Sequence, residues 1–227
     1  MVKTRSKRYK ESEKQIEKDK VYQLKDAIAV LRKMVSPKFD PSLDLHFSLN
    51  VDIKKSDQMV RGTVLLPHGT GKKVRVAVFC KGEHEKLARD AQADYVGGIE
   101  LIDKVAGGFL DFDCAIATPE MMKDLSKLGK VLGPRGLMPS PKTGTVTNDI
   151  VKAIEDVKKG KVEFRVDKQG GLHLAVGKMS FTDEQLFDNA WRVIEALNEA
   201  RPVSVKGKLV KNFSLSASMN PGLKIAI

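Results

Sequence analysis

Between positions 43 and 52 the chain alternates without a break. Leu43, Leu45, Phe47, Leu49 and Val51 are apolar, and Asp44, His46, Ser48, Asn50 and Asp52 between them are polar. A strand turns successive side chains to opposite faces, so five repeats at period two commit this segment to a sheet with one dry and one wet face. The dry face needs a cover. Leu24, Ala27, Ile28, Leu31, Met34 and Val35 recur at helical spacing over residues 22–35, and Pro37 stops that helix. A second strand is expected over residues 60–66, ending at Pro67-His68-Gly69.

The same style returns late in the chain. Val162, Phe164 and Val166 face one way, Asp167-Lys168-Gln169-Gly170-Gly171 reads as a hairpin turn, and Leu172 to Val176 is its return strand. A long helix is predicted over residues 183–199, with Leu186, Phe187, Ala190, Trp191, Ile194 and Leu197 on its apolar stripe; strands over 209–217 and 223–227 follow. The middle has another rhythm. Short apolar runs at 74–79 and 112–117 and Tyr95-Val96 alternate with helical stretches at 83–93, 100–105 and 120–128, the pattern of a small parallel sheet with helices on its faces. The expectation is a split α+β domain, a sheet with helices on one face, formed by residues 1–67 and 160–227. An α/β domain over 68–159 interrupts it, with linkers near Pro67-His68-Gly69 and Lys158-Lys159-Gly160. A chain of 227 residues suits two such units.

Charge sharpens this division. The chain carries 40 Lys and Arg against 29 Asp and Glu, a net of +11. Segments 1–67, 68–159 and 160–227 hold +6, +2 and +3, so +9 sits on the outer segments. A polyanion is the partner such an excess favours. Residues 1–20, with 8 basic and 4 acidic side chains and almost nothing apolar, read as an arm or solvated helix that folds against a partner and offers Arg5, Lys7 and Arg8 to it. No apolar stretch follows this basic start and no window approaches a membrane span, so neither an export signal nor a membrane partner is expected. Peripheral lipid binding lacks a basic amphipathic helix with exposed bulky apolar residues.

Signs of catalysis are sparse. His46, His68, His84 and His173 have no metal-binding spacing, Cys80 and Cys114 form neither a ligand pair nor a disulfide framework, and no nucleophile elbow occurs. His46 and His173 fall on wet strand faces, where they can reach a phosphate or a base as easily as nothing. His68-Gly69-Thr70-Gly71-Lys72-Lys73 invites a phosphate-loop reading but precedes a β-rich run where a helix N-terminus is required. A nucleotide-dependent enzyme built on the inserted segment is the competing reading; no metal or cofactor is expected. The stretch 128–142 has a Gly and Pro density that forbids regular helix or sheet, and it presents Arg135 on a loop that is structural or touches RNA. Phe39, beside Lys38, either stacks on a base or packs the helix end. Ser214, Ser216 and Ser218 set hydroxyls at period two, and such a row lets an RNA backbone approach and bond through its 2′-hydroxyls and phosphates.

Gly133-Pro134-Arg135-Gly136-Leu137-Met138-Pro139 closely resembles the signature of a family, that of the first protein of the large ribosomal subunit. Ser56 to Thr63, Leu66-Pro67-His68-Gly69, Ala93 to Gly98 and Phe164-Arg165-Val166-Asp167-Lys168 are similar in the same order, so the match runs over nearly the whole chain. The resemblance implies a split RNA-binding domain and an inserted domain with a Rossmann-like, three-layer sheet. It further implies a place on the mobile stalk of large-subunit ribosomal RNA in the cytoplasm, where the family assists departure of deacylated tRNA from the exit site. Bacterial members also bind and repress their own messenger RNA. A monomer is expected off the ribosome. The family's RNA contacts carry over onto Lys38, Phe39, Asp44, Asp167, Lys168, Ser216, Ser218 and Met219, and Arg165 and Asn220 are taken with them. Where the family shows Thr-Met-Gly, this chain has Ser218-Met219-Asn220; Ser keeps the hydroxyl, and Asn adopts the left-handed conformation better than most residues, so the turn is expected to survive.

Overall fold

The computed structural model describes residues 5–17, 20–34, 37–53, 55–205 and 207–226. Val35 of the first apolar stripe, residues 1–4, 18 and 19 of the basic arm, and Ile227 of the closing strand lie outside them. The first half forms α1 (Lys7–Lys14), α2 (Leu24–Lys33), β1 (Ser42–Leu49), β2 (Arg61–Leu65), β3 (Val76–Phe79), α3 (Glu83–Asp90), β4 (Tyr95–Gly97), α4 (Ile99–Ala106) and β5 (Cys114–Ala117). There follow α5 (Met122–Leu125), α6 (Gly129–Leu132), α7 (Ile150–Lys159), β6 (Lys161–Arg165), β7 (Gly171–Lys178), α8 (Asp183–Glu199), β8 (Val210–Ala217) and β9 (Leu223–Lys224). Two compact units result: Met1–Gly71 with Val162–Ile227, and Lys72–Lys161.

The outer unit is built on an antiparallel sheet of order β7-β1-β8-β9. The alternation in β1 has its physical counterpart: Leu43, Leu45, Phe47 and Leu49 are buried, while Asp44, His46 and Ser48 are not. The dry face packs on α2 through Ala27, Ile28 and Leu31 and on α8 through Leu186, Ala190, Val193 and Leu197. Each buried Leu here contributes about 1.5–3 kcal/mol. A capping box starts α8: the Thr182 side chain accepts from the Gln185 amide at 3.3 Å, and the Gln185 side chain accepts from the Thr182 amide at 3.0 Å. Trp191, expected on the buried stripe, is 51% exposed and stacks on Phe187 with ring centroids 6.0 Å apart. It sits one step round the helix from the line Leu186–Ala190–Val193–Leu197, so the stripe is narrower than its apolar composition suggests.

The hairpin expected over residues 162–176 does not form a paired ladder. The turn is real, since the Asp167 amide donates to the Gly171 carbonyl at 2.8 Å, but its two strands part company. β7 pairs with β1, whereas β6 pairs with β2 in a separate two-stranded sheet. Gly170, with φ +82°, redirects the chain, and its carbonyl accepts from the Leu49 amide at 2.8 Å at the end of β1.

His68 to Gly71, expected in the insertion, belong to the outer unit. Asn189 of α8, fully buried, holds them: it donates to the carbonyls of Val176 (2.7 Å) and Gly69 (3.0 Å) and accepts from the His68 amide at 3.1 Å. This glycine-rich stretch is a braced turn rather than a phosphate loop.

In the inner unit a parallel sheet of order β4-β3-β5 carries helices on both faces. Ala77, Phe79, Ala115 and Ala117 pack with α4 and the segment 121–132, while Val76, Val78 and Ile116 pack with α3 and α7. The helix α7 is not among those expected from the sequence. Its stripe, Ile150, Ala153, Ile154 and Val157, is fully buried or nearly so, capped by Asp149 and ended by Gly160 at φ +108°. The single helix expected near 120–128 is instead a string of short helical turns, and the Gly- and Pro-rich stretch starts with one helical turn, α6. Gly133 closes that turn because a Cβ there would lie 2.5 Å from the Gly129 carbonyl oxygen.

Candidate nucleic-acid interface

The wet face of the four-stranded sheet gathers most of the expected contacts. Cross-strand register puts His173, His46, Ser214 and Lys224 in one row and Ala175, Asp44 and Ser216 in the next. His46 reaches both along its own row and across to the next. Nδ1 of His46 lies 2.9 Å from Nδ1 of His173, and Nε2 of His46 lies 2.7 Å from Oγ of Ser216. Oδ1 of Asp167 accepts from the amides of Gln169 (2.8 Å) and Gly171 (2.7 Å), and its Oδ2 stands 3.8 Å from Nε2 of His173. Those two amides hold the Asp167 carboxyl below the usual carboxylate range. Burial, and then His173, hold His46 below the ordinary imidazole value against a smaller upward pull from Asp44.

One end of this face is formed by the start of β1, the end of β7 and the turn after β8. Asp40 accepts from the Ser180 amide and hydroxyl at 3.2 and 2.8 Å, and its carbonyl accepts from Lys178 at 3.3 Å. This brace fixes the corner on which Phe39 stands 50% exposed beside exposed Lys38. Ser218 Oγ accepts from the Ser42 amide at 3.1 Å and donates to the Ser42 carbonyl at 3.3 Å. Arg8 of α1 donates to the Met219 carbonyl at 3.3 Å. Residues 7–14 of the arm are thus a helix in contact with the expected interface; Arg5 lies over the Tyr9 ring at 4.2 Å, and Lys7 is exposed. Asp167 and Lys168 mark the opposite end. Arg165 is exposed on β6, in the separate ladder, and is not brought onto this face by any contact among the described residues.

The turn at 217–220 survives in a different form from the one expected. Met219, not Asn220, takes the left-handed conformation, with φ +64°, and the Asn220 amide closes the turn on the Ala217 carbonyl at 2.9 Å. A non-glycine residue held there costs on the order of 1 kcal/mol, and Met219 is 66% exposed in that pose. Oδ1 of Asn220 is buried without a partner among the described residues. The sequence placed His46 and His173 on wet faces, but their pairing depends on a register between strands 127 residues apart.

The matches with known proteins span both units. The model of the ribosomal protein L1p/L10e family matches residues 31–221. The chain is 51% identical to the large ribosomal subunit protein uL1 of Thermosipho melanesiensis over 221 residues, 97% of this chain and 95% of that one. It is 52% identical to the protein of the same name from Fervidobacterium nodosum, over 97% and 94% of the two chains. This chain belongs to the ribosomal protein L1p/L10e family. The family match takes in Phe39, the His46–His173 pair, the Gly133–Pro139 loop and the Ser218-Met219-Asn220 turn, whereas Arg5, Lys7 and Arg8 lie before it. Among the described residues no cluster of His, Cys, Asp or Glu could hold a metal ion, and no helix is long and apolar enough to cross a membrane.

Proposed function

We propose that this chain is a structural protein of the large ribosomal subunit, in the cytoplasm, which binds ribosomal RNA through the wet face of its outer unit without altering it chemically. The observation that carries this reading is the convergence of Asp44, His46, Ser216, Asp167 and the Met219 turn on one sheet face, in a family whose relatives are named for the large subunit. The braced, hydroxyl-lined surface suits recognition by shape and by contacts to sugars and phosphates. The stalk of the RNA is the target, Lys38, Phe39, Lys168, Ser218, Met219 and Asn220 are contacts, and Arg5, Lys7 and Arg8 on and beside α1 add cations. The inner unit is a Rossmann-like, three-layer domain, exit-site tRNA is a second partner during its release, and a stalk-like element in the chain's own messenger RNA is a repressor target. Off the ribosome the chain is a monomer.

Binding of the full chain to a stalk fragment of large-subunit ribosomal RNA across a salt series tests this. Affinity should fall linearly on logarithmic axes, and Lys168→Ala should reduce the slope by about 0.7–0.9. Stabilisation by nucleotides with no affinity for the structured RNA would favour a nucleotide-dependent enzyme instead.

A further inference from the structure

Of the three period-two serines, Ser216 meets a titratable ring, with its Oγ 2.7 Å from Nε2 of His46. A hydroxyl has one proton to give, and an imidazole nitrogen either donates or accepts, so the state of each member dictates the next. The sequence starts at Asp167. Its carboxylate is pinned by two backbone amides on Oδ1, and Oδ2 faces Nε2 of His173 at 3.8 Å. An anion there favours a proton on that nitrogen, which leaves Nδ1 of neutral His173 as an acceptor. Nδ1 of His46, 2.9 Å away, must then donate to it. A neutral His46 that donates from Nδ1 has a bare Nε2, which accepts from Ser216. The Ser216 proton is thereby committed inward, and only lone pairs face outward.

We propose that the Asp167–His173–His46 chain fixes Ser216 as a hydrogen-bond acceptor toward RNA, so that this position takes a ribose 2′-hydroxyl and rejects an acceptor-only group such as a phosphate oxygen. His46, His173 and, for this effect, Asp167 are positioning residues, and Ser216 makes the contact. The inference rests on the wet face being the RNA site. It also gives the polarity a pH dependence. One added proton binds the bare Nε2 of His46, while its Nδ1–H stays on His173; Ser216 then accepts from the ring and its own O–H turns outward. The charged groups around the pair are Asp44 on β1, Asp167 on the turn before β7, and Lys224 on β9, which is in register with Ser214 next to His46.

The test uses the full chain and the stalk RNA fragment with single 2′-fluoro nucleotides walked through the bound strand. Fluorine keeps the sugar pucker and removes the donor. At pH 7.5 one position should weaken binding about five- to tenfold, the size of one mismatched hydrogen bond. That penalty should vanish in Ser216→Ala, and fall below about twofold in His46→Ala, where the hydroxyl is free to turn. In the unaltered chain it should shrink at pH 5.0, and in His46→Ala it should not change with pH. A cooperative urea transition shows that each variant folds; should His46→Ala fail this, the pH series on the unaltered chain decides. Tight binding with no fluoro-sensitive position, or a sensitivity untouched by Ser216→Ala, by His46→Ala or by acid, overturns the relay. Failure of the unaltered chain to bind unmodified stalk RNA instead overturns the assignment of the RNA site.

Discussion

Ser218 and Ser42 are 176 residues apart, yet one hydroxyl meets both main-chain groups of Ser42, accepting from its amide and donating to its carbonyl, which also accepts from the Ser218 amide at 2.9 Å. This extends the β1–β8 pairing by one residue beyond Ala217 and sets the base of the Met219 turn. The Ser218 proton is spent inside the protein, so toward RNA this hydroxyl offers a lone pair only.

Ser218→Val should therefore act twice. Loss of both hydroxyl bonds to Ser42 lowers folding stability by about 1–3 kcal/mol, readable from the urea midpoint at unchanged slope. RNA affinity falls as well, because the turn that presents Met219 keeps only its main-chain ties. A folded variant with unaltered stability and unaltered affinity would leave the hydroxyl without either role.

Asn189 offers a sharper stability test. Asn189→Leu keeps the approximate volume but strands the Val176 and Gly69 carbonyls and the His68 amide. We expect a loss of about 2–4 kcal/mol in urea unfolding of the full chain, with RNA affinity at saturating stability little changed. A variant as stable as the parent would mean that the His68–Gly71 turn is braced by something other than this amide.

Acid should weaken the fold through His46. Its value in the folded chain lies below that of a free imidazole, so between the two the unfolded chain binds more protons. The stabilisation this provides is present above about pH 6.5 and is lost as pH falls through the folded value. Urea midpoints from pH 7.5 down to 5.0 should drop more for the unaltered chain than for His46→Gln. Equal drops would place the proton uptake elsewhere.

The Cys80 thiol is buried after β3, and burial, with a smaller effect from Glu85, pushes it up to about 11. Native protein treated with iodoacetamide at pH 8 should leave Cys80 unmodified until denaturant is added. Rapid alkylation of Cys80 in the folded chain would show that this strand end opens.

How much of this was legible in the sequence follows the range of the forces involved. Period-two alternation located the start of β1 and its wet residues, though the strand ends at Leu49 rather than at Asp52, and the apolar stripe located α8, because both signals are local. The partner of each strand is not local. Asp167 to Gly171 reads as a hairpin in one dimension, yet β6 and β7 find different partners, β2 and β1, because Gly170 turns the chain out of the ladder. The same limit hid the relay from Asp167 to Ser216, whose members come from three places in the chain. Chemistry at the Ser218-Met219-Asn220 turn was legible as residue types, whereas the assignment of the left-handed position to Met219 needed the hydrogen bond from Asn220 to Ala217.

The central claim is that RNA covers the wet face of the outer sheet. Hydroxyl-radical oxidation of side chains, with and without the stalk RNA fragment, reads this directly. Phe39, His173 and Met219 are exposed on or beside that face, and Trp191 is comparably exposed on α8, in the helical layer behind the sheet. RNA should protect Phe39, His173 and Met219 and leave Trp191 as reactive as before. Protection of Trp191 with undiminished oxidation of Met219 and Phe39 would contradict the account.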